Sequence, residues 1–142
     1  MNFLLDTNVV SEWAKPLPNR NVIKWLAEAD EDRLYLSVLT FAEIKRGIEQ
    51  MPFGQRRNAL KSWLQDDLSE RFEGRILLVD VPVAGFWCVI MAQSAAMGIS
   101  LSVMDGFFAA TAHTHHLTLV TRNTKDFENL RIPLLNPWIR GA

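Results

Sequence analysis

The stretch Phe3-Leu4-Leu5-Asp6-Thr7-Asn8 places three consecutive apolar residues directly before an acid and a polar pair. A short apolar run with no alternating polar residue is typical of a strand that is buried on both faces. Similar runs recur at residues 34–37, 76–79, 117–120 and 133–135. We therefore predict that residues 3–5 form one strand of a parallel sheet.

The segments between these runs have the spacing of amphipathic helices. In residues 40–51 the apolar side chains recur at helical intervals, and Pro52 ends the pattern. We predict further helices after Asn19, across residues 60–72, from Pro82 to Gly98 and across residues 104–115. Strands that alternate with helices predict the α/β class, here a three-layer α/β/α sandwich with a central parallel sheet.

The composition is that of an ordinary folded domain. The chain has 142 residues, of which 49% are hydrophobic and 22% charged, and its formal net charge is -1. These values predict a single domain, residues 1–142, and exclude a protein that coats nucleic acid through overall positive charge. The single cysteine, Cys88, excludes an intrachain disulfide, so we expect a cytoplasmic protein. Cys88 lies in an apolar run and is predicted to be a buried packing residue.

One segment is long enough by count to cross a membrane, because no charged residue lies between Val83 and Met104. Polar residues and Gly98 interrupt this segment, and acids rather than basic anchors flank it at Asp80 and Asp105. The apolar stretch at the N-terminus is too short for a signal peptide and has no basic residues before it. We therefore expect no membrane association.

Four acids follow predicted strands or begin predicted helices: Asp6, Glu43, Asp105 and Asp126. In a parallel sheet the carboxyl ends of the strands lie at one edge, and ligands bind there. Each acid alone has a simpler explanation, as an Asx turn, a helix cap or a residue near a helix N-terminus. Together they would repel one another unless they take up protons or bind a cation. An all-oxygen set of this kind favours Mg²⁺ or Mn²⁺ over zinc.

At this point the chain resembles the PIN-domain family, specifically the VapC-type and FitB-type toxins of type II toxin–antitoxin pairs. The resemblance begins at Leu4-Leu5-Asp6-Thr7-Asn8 and continues, in order, along nearly the whole chain. The other matching stretches are residues 36–44 with 46–47, 74–77 with 79–80, 105–106 with 109–112, 117–123 with 126–127, and 135–138.

This resemblance implies a Mg²⁺-dependent endoribonuclease, with Mn²⁺ as a possible substitute. It implies magnesium ligation and catalysis by Asp6, Glu43 and Asp105, with Asp126 as a more variable fourth acid. The implied chemistry is attack on an RNA phosphodiester by metal-activated water. On this basis Asn8 and Thr121 are candidate contacts of the carboxylates or of a phosphate, although turn hydrogen bonding is an alternative.

The resemblance also implies a homodimer, and neutralisation by a cognate, VapB-like DNA-binding antitoxin. The apolar load of the helices, which includes Trp25, Trp63 and Phe72, supports an exposed apolar surface for such partners.

Two other functions stay open at this stage. Asp80 ends a predicted strand, as the acceptor of a receiver-like phosphoacceptor signalling domain does, although a receiver needs paired acids after its first strand. Alternatively, the acids are only caps in a non-catalytic interaction module. A group of basic residues could contact RNA phosphates or form surface ion pairs. These residues are Lys45, Arg46, Arg56, Arg57 and Lys61.

Overall fold

A computed structural model describes residues 1–139, so residues 140–142 of the predicted domain lie outside the described part. Within it, five strands form one sheet in the spatial order β3-β2-β1-β4-β5, and every neighbouring pair is parallel. The strands are β1 (Phe3–Leu5), β2 (Leu34–Ser37), β3 (Ile76–Leu77), β4 (Thr118–Val120) and β5 (Leu134–Leu135). All the predicted strands are present, although β3, β4 and β5 are shorter than predicted.

Helices connect the strands and cover both faces of the sheet. They are α1 (Thr7–Val10), α2 (Arg20–Glu28), α3 (Val38–Glu49), α4 (Gln55–Ser62), α5 (Ser69–Arg71), α6 (Val81–Ala96) and α7 (Val103–Thr114). A π-helical segment, Trp63–Leu68, joins α4 to α5. The helix predicted across residues 60–72 is therefore part of a longer and less regular one.

The central strand, β1, determines which residue lies in the middle of the carboxyl edge of the sheet. Phe3 is in register with Leu34 of β2 on one side and with Thr118 of β4 on the other. Because helices cover both faces of this strand, its side chains must be apolar in both directions, and Leu4 and Leu5 are fully buried. The residue after β1 consequently lies in the middle of the carboxyl edge.

Alternate residues of the strands belong to two separate cores. Leu5 packs in a core formed with α1 to α4 and the π-helical segment, whereas Leu4 packs in a second core formed with α6 and α7. These two cores, on opposite faces of one parallel sheet, confirm the three-layer α/β/α sandwich. Phe72 is fully buried in the first core, and Trp25 and Trp63 pack partly against it. The prediction that Phe72 contributes to an exposed apolar surface is therefore wrong.

A serine at the end of β2 determines where α3 begins. Ser37 Oγ accepts a hydrogen bond from the Leu39 N–H at 3.0 Å, so the helix begins at Val38. The predicted start at Thr40 is therefore two residues too late, and the helix-cap alternative for Glu43 does not apply. Glu43 instead lies in the second turn of α3, where its own helix does not need its carboxylate as a cap.

The uncharged segment after Asp80 forms α6 and the loop that follows it. No helix of residues 1–139 combines the length and the apolar character that a membrane span requires. Because α6 is apolar around its whole circumference, residues on its outer side stay exposed, including Val81 and Val89, as does Met97 directly after it. Cys88 is exposed there as well, so its predicted burial is wrong for the single chain.

Helices α6 and α7 approach closely at Gly106, where a Cβ atom would lie 2.6 Å from Met91 Sδ and 3.0 Å from the Trp87 ring. The indole cannot move freely, because its Nε1 donates to the Val103 carbonyl at 3.2 Å and the ring stacks on Phe107. We expect Gly106→Ala to lower the free energy of unfolding by about 1–3 kcal/mol through overpacking.

Urea unfolding of this variant is compared with that of Gly47→Ala in α3. A Cβ at Gly47 would have no neighbour within 4 Å, so this control should keep or gain stability through helix propensity. Equal stability of the two variants would contradict the close approach at Gly106.

Candidate metal and active site

Asp6 is held in one position at the carboxyl edge of the sheet. Its Oδ1 accepts the Thr7 N–H at 2.7 Å and so caps α1. Its Oδ2 accepts the Thr121 hydroxyl at 2.7 Å, and the Asn8 amide nitrogen lies 3.4 Å from the same oxygen. Asp6 is buried, with 7% of the residue exposed. Asn8 and Thr121 therefore orient a carboxylate rather than simply closing a turn.

Glu43 is joined to Asp6 through a single threonine. Thr7 Oγ1 donates to Glu43 Oε1 at 2.6 Å, while the backbone of the same residue binds Asp6. Thr40 Oγ1, buried one turn before Glu43, lies 3.1 Å from Thr7 Oγ1. The two acids thus belong to one hydrogen-bonded junction between α1 and α3. Neither Thr7 nor Thr40 is among the residues that the sequence pattern indicates as functional.

Asp105 and Asp126 extend this group toward solvent. Asp105 lies half-buried in the first turn of α7, where its N–H donates to Ser102 Oγ at 3.1 Å. Asp126 is exposed in a 3₁₀ turn, Thr124–Asp126, that follows β4. The charge of Asp105 acts on Asp6, and that of Asp126 acts on Asp105. The four predicted acids therefore form one electrostatically coupled group with Asp6 at its buried end.

The protonation equilibrium of Asp6 reflects this environment. Burial raises the pKa of Asp6 to about 6, although hydrogen bonds from Thr121 and Thr7 lower it. The negative charges of Asp105 and Glu43 raise it further. Burial and two neighbouring acids therefore disfavour the ionised form of Asp6, and a bound cation would stabilise that form.

Within residues 1–139, no basic side chain makes an ion pair with these four acids. Burial also raises the pKa of Asp105, against the effect of its hydrogen bond with Ser102, and the charge of Asp126 adds to the rise. Oxygen donors with uncompensated negative charge suit a hard divalent cation.

The side chains do not by themselves form a closed cage. Within residues 1–139, no three Asp, Glu, His or Cys side chains are grouped closely enough to hold a metal ion directly. Mg²⁺, however, usually binds one or two carboxylates and keeps several of its waters. Asp6 and Glu43, which both bind Thr7, provide such a pair, and the charge of Asp105 also acts on Asp6. The residues present therefore fit Mg²⁺ or Mn²⁺.

An apolar groove of about 360 Å³ leads away from the acids, between α1, α3 and the π-helical segment. Thr7 and Glu43 line one end of it. Its other lining residues are mostly apolar and include Ile44, Ile48, Met51, Leu60 and Trp63. A larger cavity, about 590 Å³, lies between α6 and residues 129–131 and has none of the four acids in its lining.

Two of the basic residues near this groove already have partners. Arg56 donates to the Ala14 carbonyl at 2.7 Å, and Arg57 pairs with Glu49 at 3.0 Å. The ion-pair alternative from the sequence analysis therefore holds for Arg57.

Asp80 has a structural role. Its Oδ1 accepts the Val83 N–H at 3.2 Å and so caps α6. It follows β3, an edge strand that β2 separates from β1, the central strand that Asp6 follows. This geometry gives no support to a receiver-like site at Asp80.

Comparison with known proteins identifies the family. The family model of the PIN domain matches residues 3–132. Toxin FitB of Neisseria gonorrhoeae is 38% identical over 135 residues, which cover 95% of this chain and 97% of that protein. VapC ribonuclease Y4jK of Sinorhizobium fredii is 36% identical over 135 residues, with 95% and 96% coverage.

The likeness extends to the three-dimensional structure. A chain in the structure of FitAB bound to an IR36 DNA fragment superposes with a TM-score of 0.93 at 36% identity, covering 99% of this chain and 98% of that one. The sequence match, the matching fold and the acids at the carboxyl edge agree with one another. This chain is a member of the PIN-domain family.

Proposed function

We propose that this protein is a divalent-metal-dependent endoribonuclease that acts as the toxin of a type II toxin–antitoxin pair. The observation that supports it most is the buried carboxylate of Asp6, which is coupled to Glu43 and Asp105 and has no ion-pair partner within residues 1–139. Relatives that are named a toxin and a ribonuclease give the substrate class.

In this proposal Asp6 and Glu43 hold Mg²⁺ or Mn²⁺, with Asp105 and Asp126 completing the negative field. A bound cation would supply positive charge toward a phosphate and would make water more acidic. Thr121 and Asn8 fix Asp6 Oδ2, and Thr7 fixes both Asp6 Oδ1 and Glu43 Oε1. The chain's own contribution is therefore to hold two carboxylates rigidly before the substrate arrives.

The outer acids are suited to proton transfer. Asp126 is exposed at the rim and electrostatically coupled to Asp105. A proton released from the attacking water could pass to a carboxylate of this group and from Asp126 to solvent. Asp6 is buried and accepts three hydrogen bonds, so it is better suited to binding the cation than to exchanging protons.

The direct test is cleavage of a mixed pool of bacterial RNAs by the purified protein. We expect discrete internal cuts with added Mg²⁺ or Mn²⁺ and none with excess chelator. Cleavage that continues unchanged in chelator would contradict the metal dependence. A protein that binds the cation but cleaves no RNA in the pool would contradict the nuclease assignment.

The partners in this proposal are a cognate antitoxin, a second copy of the chain and RNA. The related FitAB complex contains DNA, which supports a VapB-like antitoxin that binds DNA in the cytoplasm. The apolar groove beside Glu43 is the surface that we assign to an antitoxin segment. An additional interface with a second copy is supported by exposed apolar residues of α6, Val81 and Val89, and by Met97 directly after it.

Filling the groove should block the antitoxin without unfolding the toxin. Gly47 lines the groove and has open space beyond its Cα, so Gly47→Lys adds a charged chain there at no packing cost. We expect Gly47→Lys to weaken antitoxin binding by about tenfold or more, because a charge must be desolvated in an apolar site. Calorimetric titration with the cognate antitoxin measures this, and Gly47→Ala is the matched control. Equal affinity of both variants would exclude the groove.

A further inference from the structure

Arg122 lies beside the acidic group and its backbone is anchored on both sides. It directly follows Thr121, whose hydroxyl binds Asp6. The Arg122 N–H donates to Asn8 Oδ1 at 3.4 Å, and its carbonyl accepts from the Asn136 amide at 3.3 Å. Through Asn8, this arginine is two hydrogen bonds from Asp6. Its side chain is nevertheless exposed.

Trp138 provides a fixed aromatic surface next to this side chain. The Arg122 guanidinium carbon lies 5.5 Å from the centroid of the indole. The Trp138 N–H donates to Asn136 Oδ1 at 2.9 Å, and its carbonyl accepts from the Asn21 amide at 2.9 Å. The ring is partly buried against the first core. The indole is therefore supported from below by the core, and the arginine lies over it.

Arg122 makes no close ion pair within residues 1–139, so its positive charge is not neutralised there. Glu12, which is buried, lies near enough for Arg122 to act on it. Burial opposes ionisation of Glu12, but hydrogen bonds from Lys15 and Asn19 and the charges of Lys15 and Arg122 lower its pKa. The close ion pair of Glu12 is made with Lys15. Arg122 thus keeps donors for a further ligand.

A single-stranded nucleic acid has the chemistry that matches this pair. Unpaired bases stack on aromatic rings and on guanidinium planes, and phosphates bind guanidinium donors. A cation is also needed beside an acidic group that would otherwise repel the phosphate backbone. The anchored backbone and the supporting indole reduce the entropy that Arg122 loses on binding.

We propose that Arg122 and Trp138 form a nucleotide subsite, in which an unpaired base of the RNA stacks on the guanidinium while its donors contact the adjacent phosphate. This inference rests on the proposed function for the identity of the substrate. The subsite lies at the carboxyl edge of β4 and β5, so it holds the nucleotide next to the reacting phosphate and not at it.

The test measures equilibrium binding without cleavage. The probes are a fluorescein-labelled uridine octamer and an abasic ribose-phosphate octamer of the same length, followed by fluorescence anisotropy in chelator at low salt. We expect wild type to bind the uridine octamer about tenfold more tightly than the abasic one. Arg122→Gln should weaken both, and Arg122→Lys should bind the abasic octamer normally but lose the preference for bases.

Arg33→Gln is the matched control, because Arg33 is exposed and precedes β2 at the opposite edge of the sheet. Thermal unfolding of each variant shows whether it is folded. If Arg122→Gln does not fold, Arg122→Lys still tests the proposal. If both Arg122 variants bind both octamers as Arg33→Gln does, the subsite is excluded. Arg122 and Trp138 would then be a contact surface for a protein. Binding that depends on Arg122 in a protein that cleaves no RNA would support the subsite and reject the nuclease.

Discussion

The Asp6→Asn variant is expected to lose RNA cleavage by about 10³-fold or more while its metal-free form melts at the wild-type temperature or above it. A loss of this size corresponds to about 4 kcal/mol of transition-state stabilisation. Asparagine keeps the size of the side chain, but it removes the negative charge that would hold the cation. The backbone cap from Thr7 to Oδ1 can also persist in the variant.

The stability half of this prediction follows from the pKa of Asp6. Its rise from 3.8 to about 6 means that ionised Asp6 costs the metal-free fold about 3 kcal/mol near neutral pH. Asparagine removes that cost. Part of the gain is offset where the Thr121 hydroxyl must reorient, since Oδ2 becomes an amide donor. A net change between zero and about 2 kcal/mol of added stability results.

The measurement combines cleavage rates in Mg²⁺ with thermal unfolding in chelator. Asp80→Asn is the matched control, because it neutralises another aspartate whose capping bond to Val83 asparagine can also make. That control should cleave at the wild-type rate. Wild-type cleavage by a folded Asp6→Asn variant would end the catalytic assignment of Asp6. A lowered melting temperature in chelator would mean that Asp6 is a structural acid.

The sheet could be predicted from local pattern, because all five apolar runs lack the alternation of a strand with one face in water. The order in which the strands lie could not. Each run is compatible with any neighbour, and the position of β1 between β2 and β4 depends on how α3 and α7 pack on the two faces.

The position of the acids relative to the strands is also a local property, so their common edge could be predicted. Their connection could not. The hydroxyl of Thr7 reaches Glu43 across 36 positions in sequence, and only the packing of α1 against α3 brings these residues together. A threonine near the start of a helix more often indicates a helix cap than a contact with another helix. In α3 the cap is Ser37.

Arg122 shows the same limit at the rim of the site. Its sequence neighbours Thr121 and Asn123 are both within the hydrogen-bonded turn after β4, and this much is local. Its aromatic neighbour, Trp138, comes from beyond β5. A cation and an aromatic ring 16 positions apart become a candidate subsite only through the pairing of β4 with β5.

Addition of Mg²⁺ or Mn²⁺ is expected to raise the melting temperature of the wild-type protein about twice as much near pH 7 as near pH 5. A cation at about 100 times its dissociation constant stabilises the fold by about 2.7 kcal/mol, or roughly 8 °C for a domain of this size. Because the pKa of Asp6 is about 6, the cation must displace a proton at the lower pH. This competition lowers its affinity by about tenfold and removes about 1.4 kcal/mol of the gain.

In chelator the same group should produce the opposite trend. The pKa of Asp6 is higher in the folded protein, about 6, than the ordinary value of 3.8. The folded state therefore binds more protons between these values, and the stability that protonation gives is lost as the pH rises through about 6. Lowering the pH from about 7 to about 5 should add about 1 kcal/mol to the metal-free wild type through this group.

Asp6→Asn separates this group from all others that titrate in the same range. The variant should show neither the cation-dependent rise nor the Asp6 part of the chelator trend, so the difference between the two proteins isolates one carboxylate. Differential scanning calorimetry at both pH values, with and without Mn²⁺, measures the cation-dependent rise and the chelator trend in both proteins. If the cation raises the melting temperature of both proteins equally, it binds elsewhere, and the carboxyl edge around Asp6 is not the metal site.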